Sequence, residues 1–172
     1  MMDRLESERI LLRPITADDT ADILRWRNAP HVMEHFIIRT PLTEQQHLNW
    51  LKEQVGKGYV EQFIIVVRES GRAIGSQYFH HIDREKKTAE FGIFIGEPDA
   101  LGKGYGPEVL DLALRHAREK MGLKTVTLRV IADNEVACKL YSGRGFKLIP
   151  ESTQTREYNG REEKIYHMEL VF

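Results

Sequence analysis

The stretch Leu101-Gly102-Lys103-Gly104-Tyr105-Gly106 constrains this 172-residue chain more than any other. Three glycines alternate with bulkier residues directly ahead of an amphipathic run. Such glycines let backbone N–H groups converge on one concavity with no Cβ atoms in the way. A helix start adds its unpaired N–H groups and the positive end of its dipole. The combination suits an anion, most simply a phosphate. Taken by composition alone, the loop fits a ligand-free turn equally well, because short glycine motifs recur by chance.

Two familiar phosphate loops do not fit. A Walker loop places Ser or Thr after Gly-Lys to hold magnesium; here Gly102-Lys103 is followed by Gly104. A dinucleotide fingerprint needs a third glycine where helix meets strand. Counting from Gly102 gives Pro107, and counting from Gly104 gives Val109. A nucleotide-binding domain is therefore disfavoured.

The flanks are informative. Thr88 to Ile95 reads as a strand with Phe91, Ile93 and Ile95 on one face. After the loop, Leu110, Ala113, Leu114, Ala117 and Met121 form a helical stripe ending at Gly122. Thr125 to Val130 alternates as a strand. Asn134 can then cap a short helix through Leu140 and Tyr141, followed by Gly145-Phe146. Upstream, Glu8 to Arg13 predicts a strand closed by Pro14. Thr16-Ala17-Asp18-Asp19 forms a capping box for a helix carrying Ala21, Ile23, Leu24 and Trp26, ended by Asn28-Ala29-Pro30. Thr43 to Gln46 caps a second helix with Leu48, Leu51 and Val55. Phe63 to Val67 and Ala73 to His81 predict further strands. Tyr158-Asn159-Gly160-Arg161 predicts a hairpin joining strands at Phe146 to Glu157 and Lys164 to Val171. The order β-α-α-β-β-β-α-β-α-β-β predicts an α/β fold, a mixed sheet flanked by helices.

Composition narrows the setting. A chain of this length fits one domain, residues 1–172. A formal net charge of −1 gives no electrostatic case for nucleic acid. The single cysteine, Cys138, suits a reducing compartment. The segment Met1 to Glu6 lacks the apolar run of a signal peptide, and nothing approaches a membrane span. The expectation is a cytoplasmic protein without membrane or nucleic-acid partners.

With these motifs in place, the chain resembles the GNAT N-acyltransferase superfamily. Its signature loop, Gln/Arg-x-x-Gly-x-Gly/Ala, and its downstream Asn…Ala…Tyr…Gly-Phe segment map onto Gly104, Gly106, Asn134, Ala137, Tyr141 and Gly145-Phe146. Leu5 to Pro14 and Ala89 to Phe94 look like the RimJ/RimL-like branch. One departure is Leu101, which stands where the family has Gln or Arg. The resemblance implies a mostly antiparallel central sheet whose strands splay apart at an acyl-CoA site. It implies acetyl-CoA as cosubstrate, no metal, and direct transfer of an acetyl group to a primary amine in a ternary complex. The cofactor-binding set it implies is Phe94, Ile95, Leu101, Gly102, Lys103, Gly104, Tyr105, Gly106, Asn134 and Ala137. Arg144 and Lys147 are candidates for the 3′-phosphate.

Catalysis on that scheme needs a proton acceptor for the amine and a proton donor for the thiolate. Glu90 is the candidate base, its pKa expected to be raised by partial desolvation. Tyr141 is the candidate general acid at sulfur. Trp26, His31, His35, Phe36 and His80 are candidate acceptor-binding residues, with Arg39 and His81 near them. His31, Glu34 and His35 do not have zinc-site spacing. Acceptors open to the branch are aminosugars, polyamines, aminoglycosides and protein N-termini. The segments Trp26 to Pro30 and Glu44 to Leu48 look similar to aminosugar N-acetyltransferases. A non-catalytic acyl-CoA-binding module is the alternative, and a homodimer is compatible with either.

Overall fold

The computed structural model describes residues 2–172. Its centre is one nine-stranded sheet. The strands are β1 (Leu5–Glu6), β2 (Ile10–Pro14), β3 (Glu61–Val67), β4 (Arg72–Asp83), β5 (Thr88–Ile95), β6 (Thr125–Ile131), β7 (Lys147–Leu148), β8 (Gln154–Tyr158) and β9 (Arg161–Val171). They run in the order β1-β2-β3-β4-β5-β6-β9-β7, with β8 on β9. All pairings are antiparallel except β5 with β6. The mixed, mostly antiparallel sheet expected from the sequence is thus the one observed.

The helices are α1 (Thr20–Arg27), α2 (Pro30–Met33), α3 (Glu44–Trp50), α4 (Tyr105–Glu119) and α5 (Glu135–Gly143). Both expected capping boxes form. Thr16 and Asp19 close one around a 3-10 turn just before α1. Thr43 and Gln46 close the other at the start of α3. These reciprocal bonds satisfy backbone donors that a helix start otherwise leaves unpaired. The two-residue Asn159-Gly160 turn has positive φ at both positions (52° and 75°), matching the twist of the β8–β9 hairpin.

The two sheet faces are covered differently. Phe79, Phe91, Leu110, Ala113, Ala117, Val126, Leu128 and Met168 pack between the sheet and α4 and α5. Ile10, Leu12, Phe63, Ile65, Val109 and Leu112 continue that layer under the start of α4. On the other face, Ile23, Trp26, Val32, Ile64, Val66 and Phe94 pack beneath α1 and α2.

Some boundaries differ from expectation. The strand expected over 146–157 is interrupted by a 3-10 turn at Pro150–Ser152, because proline cannot donate to the ladder. In the second helix Leu48 is 38% exposed, and the inward position belongs to His47. That helix ends in a π-type turn over Leu51–Val55, which shifts the phase of its apolar face. Among the described residues, no helix is long and apolar enough to cross a membrane.

Candidate active site

Strands β5 and β6 stay together only briefly. Thr88, Ala89 and Glu90 pair with Thr125, Val126 and Thr127, and the ladder stops there. β5 continues to Ile95 paired only with β4, and β6 continues to Ile131 paired only with β9. The facing edges beyond Glu90 and Thr127 therefore have no strand partner. Backbone N–H and C=O groups left this way require other partners. An extended ligand carrying amides could supply them as a strand would.

A cavity of about 590 Å³ opens at this gap. On the α1–α3 side it is lined by Arg27, Phe36, His47, Gln62 and Tyr78; Phe94 borders the gap; Asn134, Ala137 and Tyr141 line the α5 side. Gly92 lets β5 pass close to the Tyr78 ring, since a Cβ there would lie 2.3 Å from the ring.

Glu90 is the last β5 residue paired with β6, and it lies opposite His80 on β4. Its Oε2 lies 2.8 Å from His80 Nε2 and 3.0 Å from both Nε and Nη2 of Arg129. Arg129 sits two residues beyond Thr127, the residue paired with Glu90, so it shares a face with the carboxylate. His81 Nδ1 is 3.6 Å from the other oxygen, and the two imidazole rings are 4.4 Å apart. His81 adopts a positive φ of 49° where the β4–β5 register slips. That conformation is costly for a non-glycine residue and brings both histidines to one carboxylate.

The expected rise in the Glu90 pKa is corrected by this geometry. Burial pushes the carboxyl up, but the hydrogen bonds and charges of His80 and Arg129 outweigh it and hold the pKa at about 2. Glu90 is thus a fixed anion. His80, His81 and Glu90 are also the one trio among the described residues with metal-ligand geometry. The Arg129 guanidinium already occupies the carboxylate, and its charge opposes a metal cation there.

Tyr141 lies on α5, capped at its start by the Asn134 side chain, which accepts from Ala137 N at 3.3 Å. The Tyr141 ring packs edge-on against Phe91 and Phe146, while the residue also borders the cavity. Burial pushes its phenol pKa upward, so it holds its proton.

The glycine loop is built as expected but lies outside this cavity. Gly102 and Gly104 have φ of 74° and 78°, and Gly104 is the residue before α4. Arg9 Nη1 donates to Lys103 O at 2.9 Å, and Arg9 also pairs with Glu108 on the first turn of α4. Leu101 is half exposed. Tyr105 stacks under the Arg9 guanidinium, 4.8 Å from its ring centre. Gly106 has ordinary helical backbone and open space at its Cβ position. Ile95 lies in the strand beside Gly75, also outside the cavity.

The acceptor-side expectations divide. His35, Phe36 and His80 line the cavity. Trp26 does not: it is 1% exposed, donates from Nε1 to Glu97 at 3.0 Å, and fills the space that the missing Gly96 side chain leaves. Its size and apolar area make it a core residue. His31 also lies outside the lining. Arg39 turns away to Glu163 and the Tyr158 ring. Arg144 is held by both oxygens of Asp111. Sequence reasoning missed Arg27, His47, Gln62, Tyr78 and Arg129. Polar residues at the alternate positions of otherwise apolar strands, such as Gln62 and Arg129, were the available signal.

A profile of the acetyltransferase (GNAT) domain matches residues 9–147. The chain belongs to this family. It is 29% identical over 169 residues to an uncharacterized protein of Methanocaldococcus jannaschii, which is 96% of this chain but 32% of that protein. It is 24% identical over 174 residues to the uncharacterized N-acetyltransferase p20 of Bacillus licheniformis, covering 99% and 97% of the two chains. Among solved structures, it is similar to spermidine N-acetyltransferase from Vibrio cholerae in complex with CoA and spermine. The TM-score is 0.85 at 22% identity, with 96% of each chain covered. At that identity the likeness speaks for the GNAT fold.

Proposed function

We propose that residues 1–172 act as one acetyltransferase domain that moves an acetyl group from acetyl-CoA directly to a primary amine. The observation that carries this reading is the cavity at the β5–β6 gap. It has an ion-paired carboxylate and a histidine on one side and a tyrosine on the other.

The residues present fit the cosubstrate. The unpaired edges of β5, including Phe94 and Ile95, offer hydrogen bonds to amides of an extended arm. Gly102, Gly104 and Gly106, with the N-terminus of α4, offer backbone donors to a pyrophosphate. Leu101, Lys103 and Tyr105 frame that loop, and Asn134 and Ala137 border the arm. When bound, acetyl-CoA supplies an activated thioester.

The protein's own groups then manage protons. Glu90, held ionised by Arg129, fixes the His80 ring through Nε2 and stabilises the charge that develops when that ring takes a proton. This divides the work as in a carboxylate–histidine pair, with the carboxylate staying charged. Tyr141, with its raised pKa, keeps a proton available to the departing sulfur. His35 and Phe36 flank the incoming amine. Positioning in the cavity supplies much of the rate gain.

The test combines binding and turnover. Acetyl-CoA and CoA should raise the melting temperature, and ATP or NAD should not. Free thiol should then appear from acetyl-CoA in an amine-dependent manner across an amine library. Stabilisation by ATP with magnesium and none by CoA would overturn the reading. CoA binding without amine-dependent thiol release would leave an acyl-CoA-binding module.

A further inference from the structure

The cavity contains a cation for which the proposed reaction has no use. Arg27 closes α1 and lines the acceptor side. Its guanidinium carbon lies 4.0 Å from the centre of the Phe36 ring. Its Nε is buried without a hydrogen-bond partner, and among the described residues no carboxylate lies within ion-pairing distance of it. A position in the last turn of a helix favours a cation, but this side chain makes no hydrogen bond to the α1 carbonyls. Burial costs it enough to pull its pKa below the usual guanidinium value. A buried, unpaired arginine is expensive unless something pairs with it.

The surroundings point the same way. His47 is 2% exposed, and its Nε2 also lacks a partner. Burial first, then the nearby Arg27 charge, lowers its pKa, which favours the neutral ring and leaves Nε2 open to a ligand. Glu90 is the one carboxylate in the cavity lining, and Arg129 and His80 already hold it. A polycationic acceptor would meet Arg27 and Arg129 and find no free anion. An acceptor that brings its own anion would relieve the unpaired guanidinium.

Resting on the acetyl-transfer reading above, we infer that the acceptor is an amine whose far end carries a phosphate or carboxylate, seated on Arg27 with His47 beside it. The planar guanidinium suits either anion through two parallel hydrogen bonds. Stacking on Phe36 holds the plane of that fork in place.

The experiment has a binding arm and a turnover arm. In the first, amine-free anions are titrated calorimetrically into wild type, Arg27→Gln and Arg27→Lys. The probes are pyrophosphate, uridine diphosphate, glucose 6-phosphate and gluconate. At least one should bind the wild type and weaken tenfold or more in Arg27→Gln, with Arg27→Lys intermediate. Binding should also weaken as salt rises. Whether the phosphate probes or gluconate respond identifies the source of the anion. In the second arm, kcat/KM is compared for glucosamine, glucosamine 6-phosphate, glucosaminic acid and spermidine. An anionic amine should lead by about 10-fold or more, and Arg27→Gln should erase that lead chiefly through KM. CoA affinity of the variants should stay near wild type, and Arg27→Gln should not lower the melting temperature. The inference is overturned if no anion distinguishes wild type from Arg27→Gln, or if spermidine is the best acceptor in both. Arginine-dependent anion binding without any thiol release would instead uphold the anion site and overturn the acetyl-transfer reading.

Discussion

The two faces of the sheet are made from the same strands and do opposite things. Toward α4 and α5, alternate positions such as Phe63, Phe79, Phe91, Val126 and Leu128 are apolar and close into a packed layer. Toward α1 and α3, the intervening positions include Gln62, Tyr78, Glu90 and Arg129, and they border a cavity. A strand's period of two lets one sequence write both faces independently. The difference teaches that the reactive site is not an opening in a poorly packed core. It is the face where polar groups line the strands: Trp50 Nε1 donates to Gln62, Gln62 donates to Ser76, and Arg129 donates to Glu90, while Arg27 Nε and His47 Nε2 have no partner. The groups that pair there offset the cost of their burial; those that do not are free to meet a ligand.

Tyr141 belongs to both regions, so it gives the sharpest separation. Its ring packs with Phe91 and Phe146, and the residue borders the cavity. Tyr141→Phe should leave folding and CoA affinity nearly unchanged and slow the chemical step by roughly 10²- to 10⁴-fold. Single-turnover acetyl transfer measures it. Rates matching within about twofold would make Tyr141 a packing residue alone.

The packed face should respond through stability instead. Phe79 is fully buried against α4. Phe79→Ala should cost about 3–5 kcal/mol in urea unfolding, from lost burial and the cavity left behind. Tyr78→Phe, one residue away and on the cavity face, should cost under about 1 kcal/mol, because it removes no packing volume. Equal costs at the two positions would break the contrast between faces.

Glu90→Gln tests the polar network. The carboxyl pKa is depressed to about 2, so its contribution to stability is fully present above the unfolded value of 4.5. That contribution is lost as pH falls from there toward about 2. The variant should be less stable than wild type at pH 7 by about 2 kcal/mol, the range for hydrogen bonds to a charged group. The gap should narrow between pH 4.5 and 3. A gap independent of pH would mean that shape, not charge, matters at this position.

The smallest effect lies away from both faces. Thr43→Ala removes the side-chain acceptor at the start of α3 and should lower stability by about 1 kcal/mol with acetyl transfer unaffected. A loss of activity there would show that α3 is coupled to the cavity it borders.

Local chemistry explains why much of the scaffold was legible in the sequence. The two capping boxes, the Asn159-Gly160 hairpin, the Asn134 cap and the positive-φ glycines 102 and 104 depend on residues a few positions apart. The alternation of Thr125 to Val130 and the stripe on α4 likewise follow from backbone periodicity alone. Tyr141 and Glu90 could be picked out as chemistry-bearing residues for the same reason.

Tertiary structure decided what those residues are. Trp26 and His35 sit nine residues apart, yet one is sealed against Gly96 and the other borders the cavity. Glu90 reads as a desolvated carboxylate in sequence, but Arg129, 39 positions away, makes it a fixed anion. The ladder between β5 and β6 ends after three pairs, which no local pattern announces. Arg27 is an ordinary helix-end cation until folding buries it without a counter-ion. Sequence fixes propensities that act over one or two turns. Charges, burial and unpaired edges depend on which distant segments are brought together, and only the folded chain brings them.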